Sequence, residues 1–155
     1  MNKVSPRFLE HTNCWEVSGV RRADEFFRAV ALLVPDATHL LLEGAPTREV
    51  AELIAVHLDG QADYQAPRGT WWSWPASRRF SLRASPSLYA QLREAAAHHA
   101  EPEICYHLHI YRDKEPLVQW FDAFGDPMLV AKSIPRAQVE QFCSEVGGTL
   151  AEPAG

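Results

Sequence analysis

The sequence lacks several features that would assign it to a functional class at once. It contains no apolar run of about 18 residues, so no segment is predicted to span a membrane. It has no GxxxxGKS/T phosphate loop, no GxGxxG dinucleotide fingerprint, no HExxH zinc motif and no GxSxG nucleophile elbow. The common motifs of nucleotide-binding, metalloprotease and serine-hydrolase chemistry are therefore absent.

Cysteine is also scarce, and its copies lie far apart. Cys14, Cys105 and Cys143 form no CxxC pair, which argues against a zinc ribbon or a thioredoxin-like redox site. Isolated cysteines behave as small apolar side chains in a reducing compartment. No apolar segment follows the basic residues near the N-terminus, so a signal peptide is not expected. These features predict a cytoplasmic protein without a cofactor.

Basic residues are in the minority, with 15 Lys and Arg against 20 Asp and Glu. The net charge of −5 argues against a general nucleic-acid binder, because such proteins carry a strong basic excess. A chain of 155 residues is long enough to bury a core, and no Ser/Gly-rich linker divides it. We therefore predict a single domain over residues 1–155, with loose ends at 1–12 and 150–155.

Apolar periodicity predicts the secondary structure. Strands are expected at 14–17 and 38–43, each followed by an amphipathic helix that begins near Ala23 or Thr47. A brief strand at 80–83 precedes a third helix at Ser85-Pro86, and Pro135 begins a fourth. The strands 104–111, 117–123 and 128–133 form the C-terminal third.

The order of these elements predicts the fold class. Strand, helix, strand, helix at this spacing favours parallel pairing through a right-handed crossover. The later strands, separated by tight turns, favour antiparallel pairing. We therefore predict an α/β fold of mixed α+β character. Its single mixed sheet is parallel in the N-terminal half and an antiparallel meander in the C-terminal half, and about four helices flank it.

Residues 61–79 are predicted to form a long loop rich in tryptophan and arginine. Its candidate binding residues are Arg68, Trp71, Trp72, Trp74, Arg78 and Arg79. Between Gln61 and Ser85, four arginines against one aspartate give a charge of +3 in a chain of −5, which leaves −8 elsewhere. Tryptophan and arginine are enriched where proteins bind one another tightly, and long loops are often functional. Alternatively, one or two of the tryptophans fill the core beneath the loop.

A second candidate site lies on the strand 104–111. Cys105, His107 and His109 alternate along it, so their side chains are expected on one face. With Asp122 nearby, two histidines and a carboxylate are typical of a first-row metal site or of proton transfer. His107, His109 and Asp122 are therefore the candidate catalytic residues, with any metal unspecified. The alternative is a half-exposed polar sheet face on which the histidines are hydrogen-bonded.

This second site depends on the register of the predicted hairpin. If Tyr111 pairs with Pro116, then Trp120 lies opposite His107 and Asp122 lies opposite Cys105. A three-residue turn would shift the register by one residue and would separate the group.

The sequence leaves several functions open. A small acidic domain without a catalytic motif suits a protein-binding module, as an inhibitor or an immunity-type protein that neutralises a partner protein, since charge complementarity speeds encounter. A metal-assisted or acid–base hydrolase built on His107, His109 and Asp122 is the second hypothesis. A small-ligand sensor with the aromatic loop as its lid is the third, and stacking of single-stranded nucleic acid on the tryptophans is the last. Another protein is the expected partner, a small molecule is an alternative, and neither a membrane nor nucleic acid is expected.

Overall fold

A computed structural model describes Leu9 and residues 13–59 and 78–151. The elements in chain order are β1 (Cys14–Ser18), α1 (Ala23–Leu33), β2 (His39–Gly44), α2 (Arg48–Val56), β3 (Arg78–Arg83), α3 (Pro86–Ala96), β4 (His107–Arg112), β5 (Glu115–Trp120), β6 (Met128–Ala131), α4 (Arg136–Val146) and β7 (Thr149–Ala151). The fold is of the α+β class. Each predicted helix and strand is present in this part of the chain, and β7 is an additional strand.

The strands form one sheet in the order β3-β2-β4-β5-β6-β1-β7, and every pair of neighbours is antiparallel. The predicted antiparallel meander is confirmed in β4, β5 and β6, but the predicted parallel half is wrong. β1 and β2 do run in the same direction, yet β4, β5 and β6 lie between them. The strand–helix–strand spacing indicated the relative direction of β1 and β2 but not their adjacency, because the partners of β1 come from the C-terminal end of the chain.

The helices α1, α3 and α4 pack against one face of the sheet and enclose the main core. Phe26, Val30 and Leu33 of α1 have no exposed surface, and their spacing of three and four residues defines one helix face. The Phe26 ring lies 5.2 Å from that of Trp120 in β5 and 6.0 Å from that of Phe142 in α4, measured between ring centroids. This core therefore joins elements from both halves of the chain.

Local sequence features mark three of the helix ends. Ser85 Oγ accepts the backbone N–H of Leu88 at 3.0 Å, and Pro86 occupies the first turn of α3. Gly147, with a φ of 70°, ends α4 in the left-handed conformation that glycine favours. Thr47 occupies the N-cap position of α2 with extended backbone, but its side chain makes no capping hydrogen bond.

β2 is buried on both faces, as its uninterrupted run of leucines predicts. Leu40 and Leu42 belong to the helix-covered core, whereas Leu41 forms a separate small cluster with Tyr111 of β4. The sheet therefore has a second buried face, on the side opposite the helices.

The sheet continues to Ala151. In β7, Leu150 pairs with Val17 and Ala151 pairs with Glu16, so these two residues of the predicted loose C-terminal end belong to a strand. Residues 152–155 lie outside the described residues, and so does the predicted N-terminal end apart from Leu9.

Candidate functional site

The second face of the sheet collects the buried polar side chains. Among the described residues, the buried polar or charged ones are Glu43, His107, His109 and Gln119. Glu43 pairs directly with His107, and His109 pairs with Gln119. Directly paired residues of antiparallel strands point to the same side of the sheet, and Leu41 next to His109 marks the side away from the helices. We call these four residues the polar cluster.

Glu43 and His107 lie in a row that runs inward from the outer strand β3. Arg79 of β3 pairs with Glu43, which pairs in turn with His107. The Arg79 Nε atom lies 3.4 Å from Glu43 Oε1, and the side chains are 35% and 1% exposed respectively. The charge that faces Glu43 from β3 is therefore partly in solvent, whereas the carboxyl group itself is not.

Gly44 permits the close approach of the backbone at Tyr106 to β2, which aligns Glu43 with His107. A Cβ atom at Gly44 would lie 2.9 Å from the backbone nitrogen of Tyr106, so any larger residue would push the entry to β4 away. The Tyr106 N–H donates to the Glu43 carbonyl at 2.7 Å, directly before β4 begins. The register of Glu43 against His107 is therefore fixed by backbone contacts at the ends of both strands.

Both imidazoles of the polar cluster accept a backbone hydrogen bond on Nδ1. The Asp122 N–H donates to His107 Nδ1 at 3.0 Å, and the Trp120 N–H donates to His109 Nδ1 at 3.2 Å. A neutral imidazole that accepts on Nδ1 carries its proton on Nε2. The two histidines are therefore oriented as N–H donors.

Burial shifts the pKa of every titratable group in the polar cluster. Desolvation lowers the pKa of His107, which the Asp122 carboxylate partly opposes. Desolvation, together with the neighbouring His107, lowers the pKa of His109 to about 3. Desolvation raises the pKa of Glu43, and Arg79 only partly opposes this effect. Three shifted groups in one place are typical of functional sites.

Several polar atoms on this face make no hydrogen bond within the described structure. They are both carboxyl oxygens of Glu43, Nε2 of His109, the side-chain nitrogen of Gln119 and the hydroxyl of Ser81. Gln119 uses only its oxygen, which accepts the Leu9 N–H at 2.6 Å. Buried polar groups nearly always have a partner, and leaving one unsatisfied costs roughly 1–3 kcal/mol. Their concentration on one face therefore points to a binding role.

The hairpin of β4 and β5 explains which predictions for this site hold. Tyr111 pairs with Pro116 as predicted, but Ile110 pairs with Val118, which leaves Leu117 as the extra residue of a β-bulge. Proline has no N–H for the ladder and is tolerated in strands mainly at edges and bulges. The register therefore shifts by one residue even though the turn itself is short.

The bulge changes which side chains face the histidines. Trp120 pairs with Leu108 and joins the helix-covered core, so its predicted place opposite His107 is wrong. Phe121 lies beside His107 instead, with ring centroids 5.6 Å apart. Asp122, whose φ of 48° is left-handed, contacts the His107 ring through its backbone N–H.

Cys105 is not part of this site. Its side chain belongs to the helix-covered core, where burial raises the pKa of the thiol to about 12. β4 begins only at His107, so the alternation that predicts a shared face does not extend back to residue 105. The structure thus groups His107 and His109 as predicted and removes Cys105 from them.

Glu43 and Gln119 are members of the cluster that the sequence did not identify. Glu43 has one local signal, because it ends an apolar run in a strand expected to be covered on both sides. Gln119 has none. In the predicted register Trp120 lies opposite His107, so the adjacent Gln119 points to the opposite face of the sheet. Within residues 13–59 and 78–151, no group of three or more His, Cys, Asp or Glu is arranged to hold a metal ion.

The predicted tryptophan and arginine loop is described only at its C-terminal end. Arg68, Trp71, Trp72 and Trp74 lie outside the described residues. Arg78 and Arg79, predicted at the end of the loop, instead begin β3, because pairing with Glu43 and Gly44 extends that strand. With Arg83 they place three exposed arginines on an outer strand of the sheet.

No family model, no curated protein and no solved structure matches this chain in comparisons with known proteins. The function is therefore inferred from its own residues. In the part of the chain that the structure describes, no helix combines the length and the apolar character needed to cross a bilayer.

Proposed function

We propose that the protein binds a small polar molecule through the polar cluster. The observation that carries this proposal is the set of buried polar atoms on one sheet face that have no hydrogen-bond partner among the described residues. A ligand that satisfied them would offset a cost of roughly 1–3 kcal/mol for each group. The same hydrogen bonds would give both affinity and specificity, because a molecule without the matching groups would leave the buried polar atoms unsatisfied.

Binding fits the cluster better than histidine-based hydrolysis. A general base needs an accessible lone pair and a pKa near the working pH. The pKa of His109 is about 3, and the Nδ1 atoms of both histidines already accept backbone N–H groups. Glu43 is the member of the polar cluster whose pKa is raised, in the direction of neutral pH. Hydrolysis by His107, His109 and Asp122 stays a prediction, and its acid–base form would depend on Glu43.

A thermal-shift screen of small metabolites tests the proposed binding. We expect a matching compound, at about a hundred times its Kd, to stabilise the protein by roughly 2.7 kcal/mol and to raise Tm by about 5–10 °C. His109→Phe keeps an aromatic ring but removes the Nε2 donor, so it should abolish the shift. His98→Gln, at an exposed position on the same chain, is the matched control and should keep it. A shift that survives His109→Phe, or a screen without any shift, contradicts the proposal.

We also propose that the outer strand β3 binds another protein. Val56 and Leu58 are 78% and 51% exposed, and Leu58 forms an isolated antiparallel bridge with Leu82 of β3. Together with Arg83 they line a shallow cavity of about 290 Å³. Exposed apolar side chains beside arginine are typical of protein interfaces, and the arginines of β3 favour an acidic partner surface. An inhibitory or immunity-type role toward that partner belongs to the same proposal.

A charge-reversal pair tests this interface. The partner is first captured from native lysate and identified, and its affinity for the purified protein is then measured by calorimetry. We expect Arg83→Glu to weaken binding at least tenfold. Arg93→Glu, which reverses an exposed charge on α3, is expected to leave the affinity within about twofold. Equal affinities of both variants, or no captured partner, contradict the proposal.

A further inference from the structure

The polar cluster presents hydrogen-bond donors on β4 and β5 and a carboxyl group on β2. From this arrangement we infer that its ligand is an uncharged compound in which a carbonyl group stands beside an N–H, as in a lactam, an imide or a cyclic urea. The inference rests on the proposed small-molecule binding and specifies the class of molecule.

The donor side consists of His109 and Gln119. These residues are direct cross-strand neighbours, so their Cβ atoms are about 4.5–5.5 Å apart. His109 offers Nε2–H because its Nδ1 accepts the Trp120 N–H. Gln119 offers its amide nitrogen because its oxygen accepts the Leu9 N–H. Two adjacent donors match one carbonyl oxygen, which has two lone pairs to accept them.

The acceptor side is Glu43. It lies on β2, which neighbours the strand of His109, and it pairs with His107, two residues away from His109 along β4. Neither of its carboxyl oxygens has a hydrogen-bond partner in the part of the chain that the structure describes, and the residue is 1% exposed. A ligand N–H can donate to either oxygen. A ligand that spans the cluster therefore needs an acceptor toward Gln119 and a donor toward Glu43.

Charged ligands fit this surface less well. A carboxylate or phosphate would be buried near Glu43, and Arg79, the cation that faces this carboxyl group from β3, is one-third exposed. An ammonium group could donate to Glu43, but it offers no acceptor to the N–H groups of His109 and Gln119. An uncharged C=O and N–H pair avoids both conflicts.

Binding of this class changes the protonation of Glu43. Hydrogen bonding from a ligand N–H stabilises the ionised carboxylate, so binding lowers the pKa of Glu43 that burial raises. The affinity is therefore expected to rise with pH in the wild type. Glu43→Gln keeps an acceptor oxygen but has no proton to release, so its affinity should not depend on pH.

Ethylene urea and its N,N′-dimethyl derivative form a matched pair of probes, with acetate and ethylammonium as charged alternatives. We expect ethylene urea to bind the wild-type protein at least tenfold more tightly than the dimethyl derivative and both charged probes, by calorimetry or thermal shift. Its affinity should increase as pH rises above the ordinary pKa of glutamate in the wild type and stay constant in Glu43→Gln.

Equal binding of the dimethyl derivative, or tighter binding of a charged probe, overturns the inference on wild-type protein alone, whether or not Glu43→Gln folds. A pH dependence that persists in a folded Glu43→Gln also overturns it. If carboxylates or amines stabilise the wild type but not His109→Phe, the ligand class is wrong and the binding function stands. If no probe and no screened compound binds, both proposals fail.

Discussion

At the scale of single residues, Glu43 makes the stability of the fold depend on pH. Its carboxyl group is buried and makes no hydrogen bond within residues 13–59 and 78–151, and desolvation raises its pKa above the ordinary value. The native state therefore holds a proton that the unfolded chain releases at lower pH. The stability that depends on this proton is complete below the ordinary pKa of glutamate and is lost as pH rises through the raised pKa.

Replacing Glu43 should remove this pH dependence. We expect Glu43→Gln to match the wild-type free energy of unfolding at about pH 4 and to exceed it by roughly 1–3 kcal/mol at about pH 8. Urea denaturation at a series of pH values measures the difference. Glu52→Gln, at a side chain that is 68% exposed, should show no such divergence. Parallel pH profiles for wild type and Glu43→Gln would contradict this account.

Residue-level prediction from sequence succeeds where the property is local. The shared face of His107 and His109 follows from alternation within one strand, and the structure confirms it. The identity of their neighbours depends on how β4 and β5 align, and Leu117 in the bulge alters that alignment. No periodicity in either strand encodes the bulge, so Gln119 is predicted on the wrong face.

At the scale of elements, His99 forms ion pairs that connect the start of α2 to the segment following α3. Its Nε2 lies 2.9 Å from Glu49 Oε2, and its Nδ1 lies 3.5 Å from Glu103 Oε2. The hydrogen bond to Glu49, followed by that to Glu103, raises the pKa of His99 above the ordinary value. The contact therefore stabilises the fold fully below the ordinary histidine pKa and loses its effect as pH rises through the raised one.

A histidine pair on adjacent positions tests this contact. We expect the wild type to have a higher Tm than His99→Gln at about pH 6, with the difference vanishing by about pH 9. Thermal unfolding followed by circular dichroism measures it. His98→Gln changes an exposed neighbour and should differ from wild type by a constant amount. A gap between wild type and His99→Gln that is unchanged at high pH would show that the ion pairs are not its cause.

The position of each element along the chain is well predicted from sequence, whereas its neighbours in the sheet are not. The apolar face of α1 and the Ser85-Pro86 start of α3 are local patterns, and both are confirmed. The adjacency of β1 to β6 joins residues as far apart as Cys14 and Ala131. Nothing in the spacing between β1 and β2 excludes strands from elsewhere, so parallel pairing was the wrong expectation.

At the scale of the whole molecule, β1 depends on strands from the opposite end of the chain. It lies between β6 and β7, and Val17 pairs with Met128 on one side and with Leu150 on the other. The short strand β7 therefore covers what would otherwise be an open sheet edge. Open edges of apolar strands promote association between molecules.

Removal of β7 should lower stability and expose this edge. We expect a chain that ends at Gly148 to unfold at a lower temperature and to form dimers or larger species in light scattering. A chain that ends at Ala151 keeps all three residues of β7 and is the matched control, with the wild-type Tm and the wild-type state of association. Identical behaviour of the two truncated chains would show that β7 does not protect β1.

The placement of β1 also has a consequence for synthesis on the ribosome. Cys14–Ser18 is synthesised before both of its partner strands, which do not exist until Met128 and the residues beyond it have been translated. The nascent chain therefore carries β1 unpaired until β6 is made, and a product terminated before that point leaves β1 exposed to chaperones and proteases.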